Sequence, residues 1–335
     1  MGLGQIGCGY DADLPYEWDQ PCSSPRTLTH ARALACHPGI ELIAGIDPCP
    51  ATRERFAGLY GLETYADLLD WHGASTGLDP ELVVIAVGPQ LQPALVEQLL
   101  NLTTPRLLLL EKPVATSLDG ARDLERVCSR KPELSVAVNY IRRYLPSVQD
   151  WQNRLQFGEL GELLHGQITY GKGLLSNGSH FVNLAEAWLG PLTPGRLFDQ
   201  GSACFGFDRE ASLELQVRAH GLASIQVRSV GEAGLRAGEL DLWFRGGRLC
   251  WRNDGQAIAF WPRRPAAAGD SHCPLAPEPE LTLTGLEHYQ HTVLEALVTH
   301  LREPKQAPLK CSLHDGVRTL ETLASACADR PEPGF

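Results

Sequence analysis

Gly2, Gly4 and Gly7 stand in the pattern G-x-G-x-x-G, spelled Gly2-Leu3-Gly4-Gln5-Ile6-Gly7. Glycines at that spacing make a tight turn and let backbone N–H groups close on a pyrophosphate, so the segment is expected to bind a dinucleotide. Asp47 ends the apolar run Ile40–Asp47. A carboxylate at the end of the strand that follows such a loop accepts hydrogen bonds from the hydroxyls of an adenosine ribose. It also repels a ribose phosphate, and the next residues, Pro48, Cys49 and Pro50, bring no arginine to hold one. NAD is therefore expected in preference to NADP. Two features depart from the usual arrangement. Residues 10–28 make the path from Gly7 to Asp47 long and are read as an insertion. Met1 directly precedes Gly2, so the strand that should lead into the loop is expected to be truncated, with an apolar run of about five residues in frame upstream. The alternative is that Gly2–Gly7 is drawn into the strand position at the expense of the loop.

Other chemistries find little support. His288 and His291 could share a metal across one helical turn, but the pair lacks H-E-x-x-H or a nearby cysteine, and a polar helix face is the simpler reading. No metal site is expected. There is no G-x-S-x-G for a serine nucleophile. The ten cysteines contain no C-x-x-C, and reduced thiols are expected rather than a disulfide framework.

The elements that must hold the loop and Asp47 follow from hydrophobic pattern. Ile40–Asp47, Leu82–Val87, Leu107–Leu110 and Leu134–Tyr140 read as strands, the middle two as continuous apolar runs buried on both faces. Helical stretches separate them: one starting near Thr29-His30-Ala31, then Pro50–Tyr60, Gln92–Leu100 and Leu118–Ser129. This alternation predicts a Rossmann-like, doubly wound parallel α/β sheet over residues 1–140. Residues 141–335 have a different rhythm. A helix near Leu145–Gln156 is followed by Leu163–Tyr170, Ala211–Arg218, Ala223–Val230 and Glu239–Phe244 with no regular helices between them. An α+β domain with an open, mostly antiparallel sheet is expected, closed by helices near Gly285–Leu301 and Ser312–Ala328, with Pro262–Pro279 as a surface loop.

Bulk properties narrow the partners. A length of 335 residues suits two domains. A net charge of −11 opposes nucleic acid or an anionic membrane as partner. No apolar run spans a bilayer, and the acids Asp11, Asp13, Glu17 and Asp19 are unlike a secretory signal. A cytoplasmic location is expected.

Several short segments, in order, resemble one family. They are Glu111-Lys112-Pro113 directly after Leu107–Leu110, Asn139-Tyr140-Ile141-Arg142-Arg143-Tyr144-Leu145-Pro146, Gly178-Ser179-His180, and Cys311-Ser312-Leu313-His314-Asp315-Gly316. The chain is similar in these to the glucose–fructose oxidoreductase, inositol dehydrogenase and MocA (Gfo/Idh/MocA) family. That resemblance implies a hydride-transferring oxidoreductase acting on a hydroxyl or carbonyl of a sugar, nucleotide sugar or related polyol. It implies a cleft between the nicotinamide and the face of the second sheet, and assembly as a homo-dimer or homo-tetramer. It carries the catalytic lysine onto Lys112 and the late catalytic histidine onto His180, both suited to deliver a proton to a developing alkoxide. Pro113 is then expected to follow a cis bond. The resemblance places Val87, Gly88, Glu111, Lys112 and Pro113 with Gly2, Gly4, Gln5, Ile6, Gly7 and Asp47 at the cofactor, and Asn139, Arg143, Tyr144, Asn177 and His180 at the substrate.

The chain also departs from the family. Acids that family members carry four residues before the histidine and three after it are here Ser176 and Asn183. Val87-Gly88 stands for a Thr-Pro pair and Gln92 for a histidine. These departures raise the alternative of a catalytically silent homologue that serves as a binding or scaffolding subunit.

Overall fold

The computed structural model describes residues 2–4, 27–74, 79–204, 206–221, 223–232, 235, 237–252, 255–268 and 271–328. The chain divides into two units. The first comprises Met1–Tyr144 with Glu287–Val317, and the second Leu145–Leu286 with Arg318–Phe335. Division into the consecutive segments 1–140 and 141–335 therefore misses a return crossing. The reason is a late amphipathic helix whose apolar face, Val293, Leu294, Leu297 and Val298, is buried in the first unit.

The first unit is built on six parallel strands: β1 (Gly2–Gly4), β2 (Gly45–Ile46), β3 (Thr64–Tyr65), β4 (Leu82–Ala86), β5 (Leu107–Leu110) and β6 (Ser135–Val138). Their order is β3-β2-β1-β4-β5-β6, the doubly wound arrangement in which strand order reverses between β1 and β4. Helices α1 (His30–Cys36), α2 (Pro50–Tyr60), α3 (Leu68–Ala74), α4 (Gln92–Leu102) and α5 (Leu118–Ser129) alternate with the strands. Local chemistry sets their ends. Thr29 caps α1 and Ser117 caps α5 through side-chain oxygens, and Gly61, at φ 66°, stops α2 in the left-handed region. All four leucines of β5 are buried. A parallel strand covered on both faces needs such a run, each side chain contributing about 1.5–3 kcal/mol.

The start of the chain corrects the sequence reading. Gly2 pairs with Gly45 on one side and Val84 on the other, and Leu3 pairs with Ile46 and Ile85. Gly2 and Gly4 are thus residues of the central strand, not turn glycines, and the strand expected to be missing is present. The physical reason is that an empty slot between β2 and β4 would leave two rows of interior backbone groups unpaired. Gln5, Ile6 and Gly7, the remainder of the expected loop, lie outside the described residues. Cys36 is disulfide-bonded, contrary to the expectation of reduced thiols throughout. Cysteine spacing alone carries no pairing information.

The second unit holds an eight-stranded sheet. After α6 (Pro146–Gln156) come β7 (Leu163–Tyr170), α7 (Ser179–Leu189), β8 (Leu192–Asp199), a short ribbon β9 (Ala203–Cys204) and β10 (Asp208–Arg209), then β11 (Ser212–Val217), β12 (Ser224–Ser229), β13 (Gly238–Phe244), β14 (Gly247–Arg252), β15 (Ala257–Pro262) and β16 (Glu280–Leu283). The order is β16-β15-β14-β13-β7-β12-β11-β8, antiparallel except where β7 meets β12. Alternation of buried and exposed residues in β11, β12 and β13 shows one covered face. Helices α8 (Tyr289–Arg302) and α9 (Leu313–Cys327) close the chain. No described helix is long and apolar enough to cross a membrane.

Candidate active site

In an open parallel sheet, ligands bind outside the carboxyl ends of the strands where the order reverses. Asp47 stands at that end of β2, only 8% exposed, its backbone N–H donating to Tyr65 O at 3.0 Å. Its Oδ1 accepts the Cys49 N–H at 2.8 Å, and among the described residues Oδ2 has no protein donor. A carboxylate held by one oxygen and open at the other suits a ribose diol, so these residues fit an adenine dinucleotide. The sequence reading of cofactor choice nevertheless missed Arg53. One turn into α2, its Nη1 donates to Asp47 O at 2.8 Å. The helix brings back a cation that linear inspection of Pro48–Pro50 does not show.

Val87 and Gly88 follow β4, half-buried, and the Leu91 N–H closes a turn onto Gly88 O at 2.9 Å. Glu111, Lys112 and Pro113 follow β5, and the Lys112–Pro113 bond is cis, as the resemblance implies. Glu111 N donates to Ile85 O, which locks the start of this turn to β4. The Glu111 carboxylate is the centre of a network that the sequence reading missed. His30 Nε2 lies 2.7 Å from Oε1, Asn139 Nδ2 donates to the same oxygen at 2.7 Å, and the Lys112 N–H donates to Oε2 at 3.2 Å. Gln290 Nε2 is 2.8 Å from His30 Nδ1. Burial pushes the Glu111 carboxyl up, but the His30 bond, the charges of His30 and Lys112 and the Asn139 bond outweigh it and hold it at about 2. The carboxylate is therefore ionised beside Lys112. His30 and Gln290 are far apart in sequence and belong to no motif, so only the fold brings them together.

Gln92, at the start of α4, is fully buried. Its Nε2 donates to Glu111 O and to Pro113 O, both at 2.9 Å. Asn139, expected at the substrate, is also buried, its amide directed to Glu111 and, at 3.4 Å, to Gln290 Oε1. Arg143 Nη1 is 3.3 Å from Asp315 Oδ1, and the buried Tyr144 hydroxyl donates to Val138 O at 3.2 Å. Burial raises the Tyr144 hydroxyl well above the usual phenol range. The structure thus engages polar groups of Asn139, Arg143 and Tyr144 within the framework of the first unit.

His180 and Asn177 lie in the second unit. A wide helical turn, Leu174–Gly178, precedes α7, with the Gly178 N–H reaching back five residues to Gly173 O at 3.0 Å. Such turns recur at functional sites. Asn177 Nδ2 donates to Gly171 O at 2.8 Å and Ala237 O at 2.7 Å. Two buried acids from the β10 region hold the turn. Asp208 accepts the Leu175 and Ser176 N–H groups at 2.9 and 2.7 Å, and Glu210 accepts that of Gly173 at 2.7 Å. Gly173, at φ +88°, has no room for a side chain, because a Cβ would meet Asp208 Oδ2 at 2.2 Å. His180 occupies the first turn of α7, a helix buried on nearly every face. Further along it Asn183 Nδ2 donates to Thr319 Oγ1 at 2.9 Å, and the hydroxyls of Thr319 and Thr322 donate to the fully buried Glu186. Among the described residues no cluster of three or more His, Cys, Asp or Glu is gathered to hold a metal.

A parallel sheet of this order, with an acid closing β2 and Glu-Lys-cis-Pro closing β5, defines a nicotinamide-dinucleotide domain. Residues 27–140 match the Gfo/Idh/MocA family, described as an oxidoreductase family with an NAD-binding Rossmann fold. The matched segment carries strands β2 to β6 of the sheet just described and Glu111-Lys112-Pro113, one of the segments on which the sequence resemblance rests. Comparison with curated proteins gives no match. Solved structures share the fold at low identity. The WlbA dehydrogenase of Bordetella pertussis, in complex with NADH and UDP-GlcNAcA, is 16% identical with a TM-score of 0.71, over 98% of this chain and 96% of that one. An oxidoreductase of Agrobacterium radiobacter in complex with NAD+, L-tartaric acid and magnesium is 18% identical with a TM-score of 0.69, over 98% and 96%. A 3-ketoreductase of Actinomadura kijaniata in complex with TDP-benzene and NADP is 17% identical with a TM-score of 0.69, over 97% and 95%.

Proposed function

We propose that the protein is an NAD(H)-dependent dehydrogenase or reductase acting on a hydroxyl or carbonyl carbon of a sugar, nucleotide sugar or related polyol. It acts in the cytoplasm as a homo-dimer or homo-tetramer. The observation that carries this reading is the Glu111-Lys112-cis-Pro113 turn at the end of β5, in a sheet whose β2 ends in an open carboxylate. Likeness to structures that hold UDP-GlcNAcA or TDP-benzene supports a nucleotide-activated sugar as substrate.

Nicotinamide, when bound, supplies the acceptor or donor of a hydride. The chain's own residues do the rest. Asp47 Oδ2 accepts the ribose hydroxyls. Lys112 Nζ carries the proton that a developing alkoxide takes in reduction, and receives it in oxidation. When protonated, its ammonium also favours negative charge on that oxygen, and the ionised Glu111 carboxylate belongs to the same turn. His180 is assigned as the second acid–base group, and Asn177 presents its carboxamide oxygen to substrate. Gly88 and Val87 give backbone surface against the cofactor.

The rival is a silent homologue, favoured by Ser176 at a position where the family has an acid. Purified protein incubated with NAD+ and a panel of polyols and UDP- and TDP-sugars, followed by the absorbance of reduced nicotinamide, separates the two. Turnover with a member of the panel, lost in Lys112→Ala, is the expected result. Tight NADH binding without turnover on any member, and with no change in Lys112→Ala, would favour the rival.

A further inference from the structure

Gln92 enters the sequence reading only as a departure from a family pattern, yet its place in the fold is specific. It is the first residue of α4, with no exposed surface, and one amide nitrogen serves two acceptors. Those acceptors, Glu111 O and Pro113 O, are the carbonyls on either side of Lys112. A primary amide has two N–H groups diverging from one nitrogen, so a single side chain can hold both carbonyls at once. Neither carbonyl can turn without losing its bond to the buried Gln92 amide. The main-chain path through Lys112 is therefore set by a residue of the preceding βα unit. A second restraint acts on the other side, where Glu111 takes the Lys112 N–H and is itself held by Asn139 and His30.

We propose that Gln92 is the positioning residue for Lys112, fixing the Lys112 main chain and hence the direction in which Nζ leaves the turn. This rests on the reading of Lys112 as the proton donor, and deepens it. The side chain touches neither substrate nor cofactor in this role. Its shape is not interchangeable: leucine keeps the volume and loses both donors, and asparagine keeps the donors but is one methylene too short to serve both carbonyls.

Lysine methylation makes this measurable without a substrate. The chain has five lysines, Lys112, Lys131, Lys172, Lys305 and Lys310. Reductive dimethylation with carbon-13 formaldehyde labels each, and loss of one signal in Lys112→Arg assigns Lys112. Its chemical shift and pH titration midpoint are compared in the wild-type chain, Gln92→Leu and Gln92→Asn. In Gln92→Leu the Lys112 signal is expected to move towards that of the exposed Lys305 and to narrow, while the other four stay in place. Gln92→Asn should move it part of the way, which keeps the test open if the leucine variant folds poorly. A Lys112 signal unchanged in both variants overturns the proposal, as does an equal movement of all five signals, which would report general loosening. The two readings fail separately. Wild-type turnover in Lys112→Ala would remove the role of Lys112 whatever Gln92 does, and an unmoved signal would remove the role of Gln92 whatever Lys112 does.

Discussion

At the scale of single residues, the proposed chemistry rests on Lys112 beside a Glu111 carboxylate that stays ionised. Lys112→Ala and His180→Ala are each expected to lower turnover by about 10²- to 10⁴-fold, the usual worth of a positioned proton donor. NADH binding should change little in His180→Ala. Wild-type turnover in either variant on the true substrate would remove that residue's role. Glu111 gives a second, independent check through stability. Its carboxyl is held at about 2 in the folded chain against an ordinary value of 4.5. A depressed carboxyl contributes stability above its unfolded value and loses it as pH falls through the folded one. Glu111→Gln should therefore be less stable than wild type by denaturant unfolding at neutral pH, with the gap closing between pH 4.5 and about 2. A gap independent of pH would show that the network does not hold the charge.

At the scale of elements, most of the fold was legible and its exceptions have physical causes. The helices Pro50–Tyr60 and Leu118–Ser129 and the strands Leu107–Leu110 and Leu163–Tyr170 fall where hydrophobic pattern and caps put them. Gly2–Gly4 was misread because a local glycine pattern is weak evidence against the demand of two neighbouring strands for a partner. The site was legible only in part. Lys112 and Asp47 announce themselves by the strands they end. Gln92, His30 and Gln290 do not, because their partners are other segments' backbone and side chains, and no spacing records that. Asp208 and Glu210 were invisible for the same reason, although they hold the turn before His180. The turn supplies its own test. Gly173→Ala places a Cβ against Asp208 at a left-handed position and is expected to cost about 1–3 kcal/mol of backbone strain. The melting temperature should fall measurably, and Gly206→Ala, with φ +72° but open space, should fall less. Equal falls would show that the contact with Asp208 contributes nothing.

At the scale of the whole molecule, an acidic chain with net charge −11 must draw a doubly negative dinucleotide through local geometry rather than overall attraction. Asp47 and Arg53 are proposed to set the choice of cofactor between them. Wild type is expected to bind NADH more tightly than NADPH, and Asp47→Ser to narrow or reverse the preference, because Arg53 stays at the strand end. Titration of both variants with both reduced cofactors measures this, and equal or tighter NADPH binding by wild type would contradict it.

The central claim is that the first unit holds a nicotinamide dinucleotide with its ribose on Asp47, and titration of the full chain with NADH tests it most directly. Saturable enhancement of NADH fluorescence is expected in the wild-type chain. In Asp47→Ala, binding should weaken by about 10-fold or more, since hydrogen bonds to a charged group are each worth about 1.5–3 kcal/mol. Absence of saturable binding, or equal affinity in the two chains, would contradict the account.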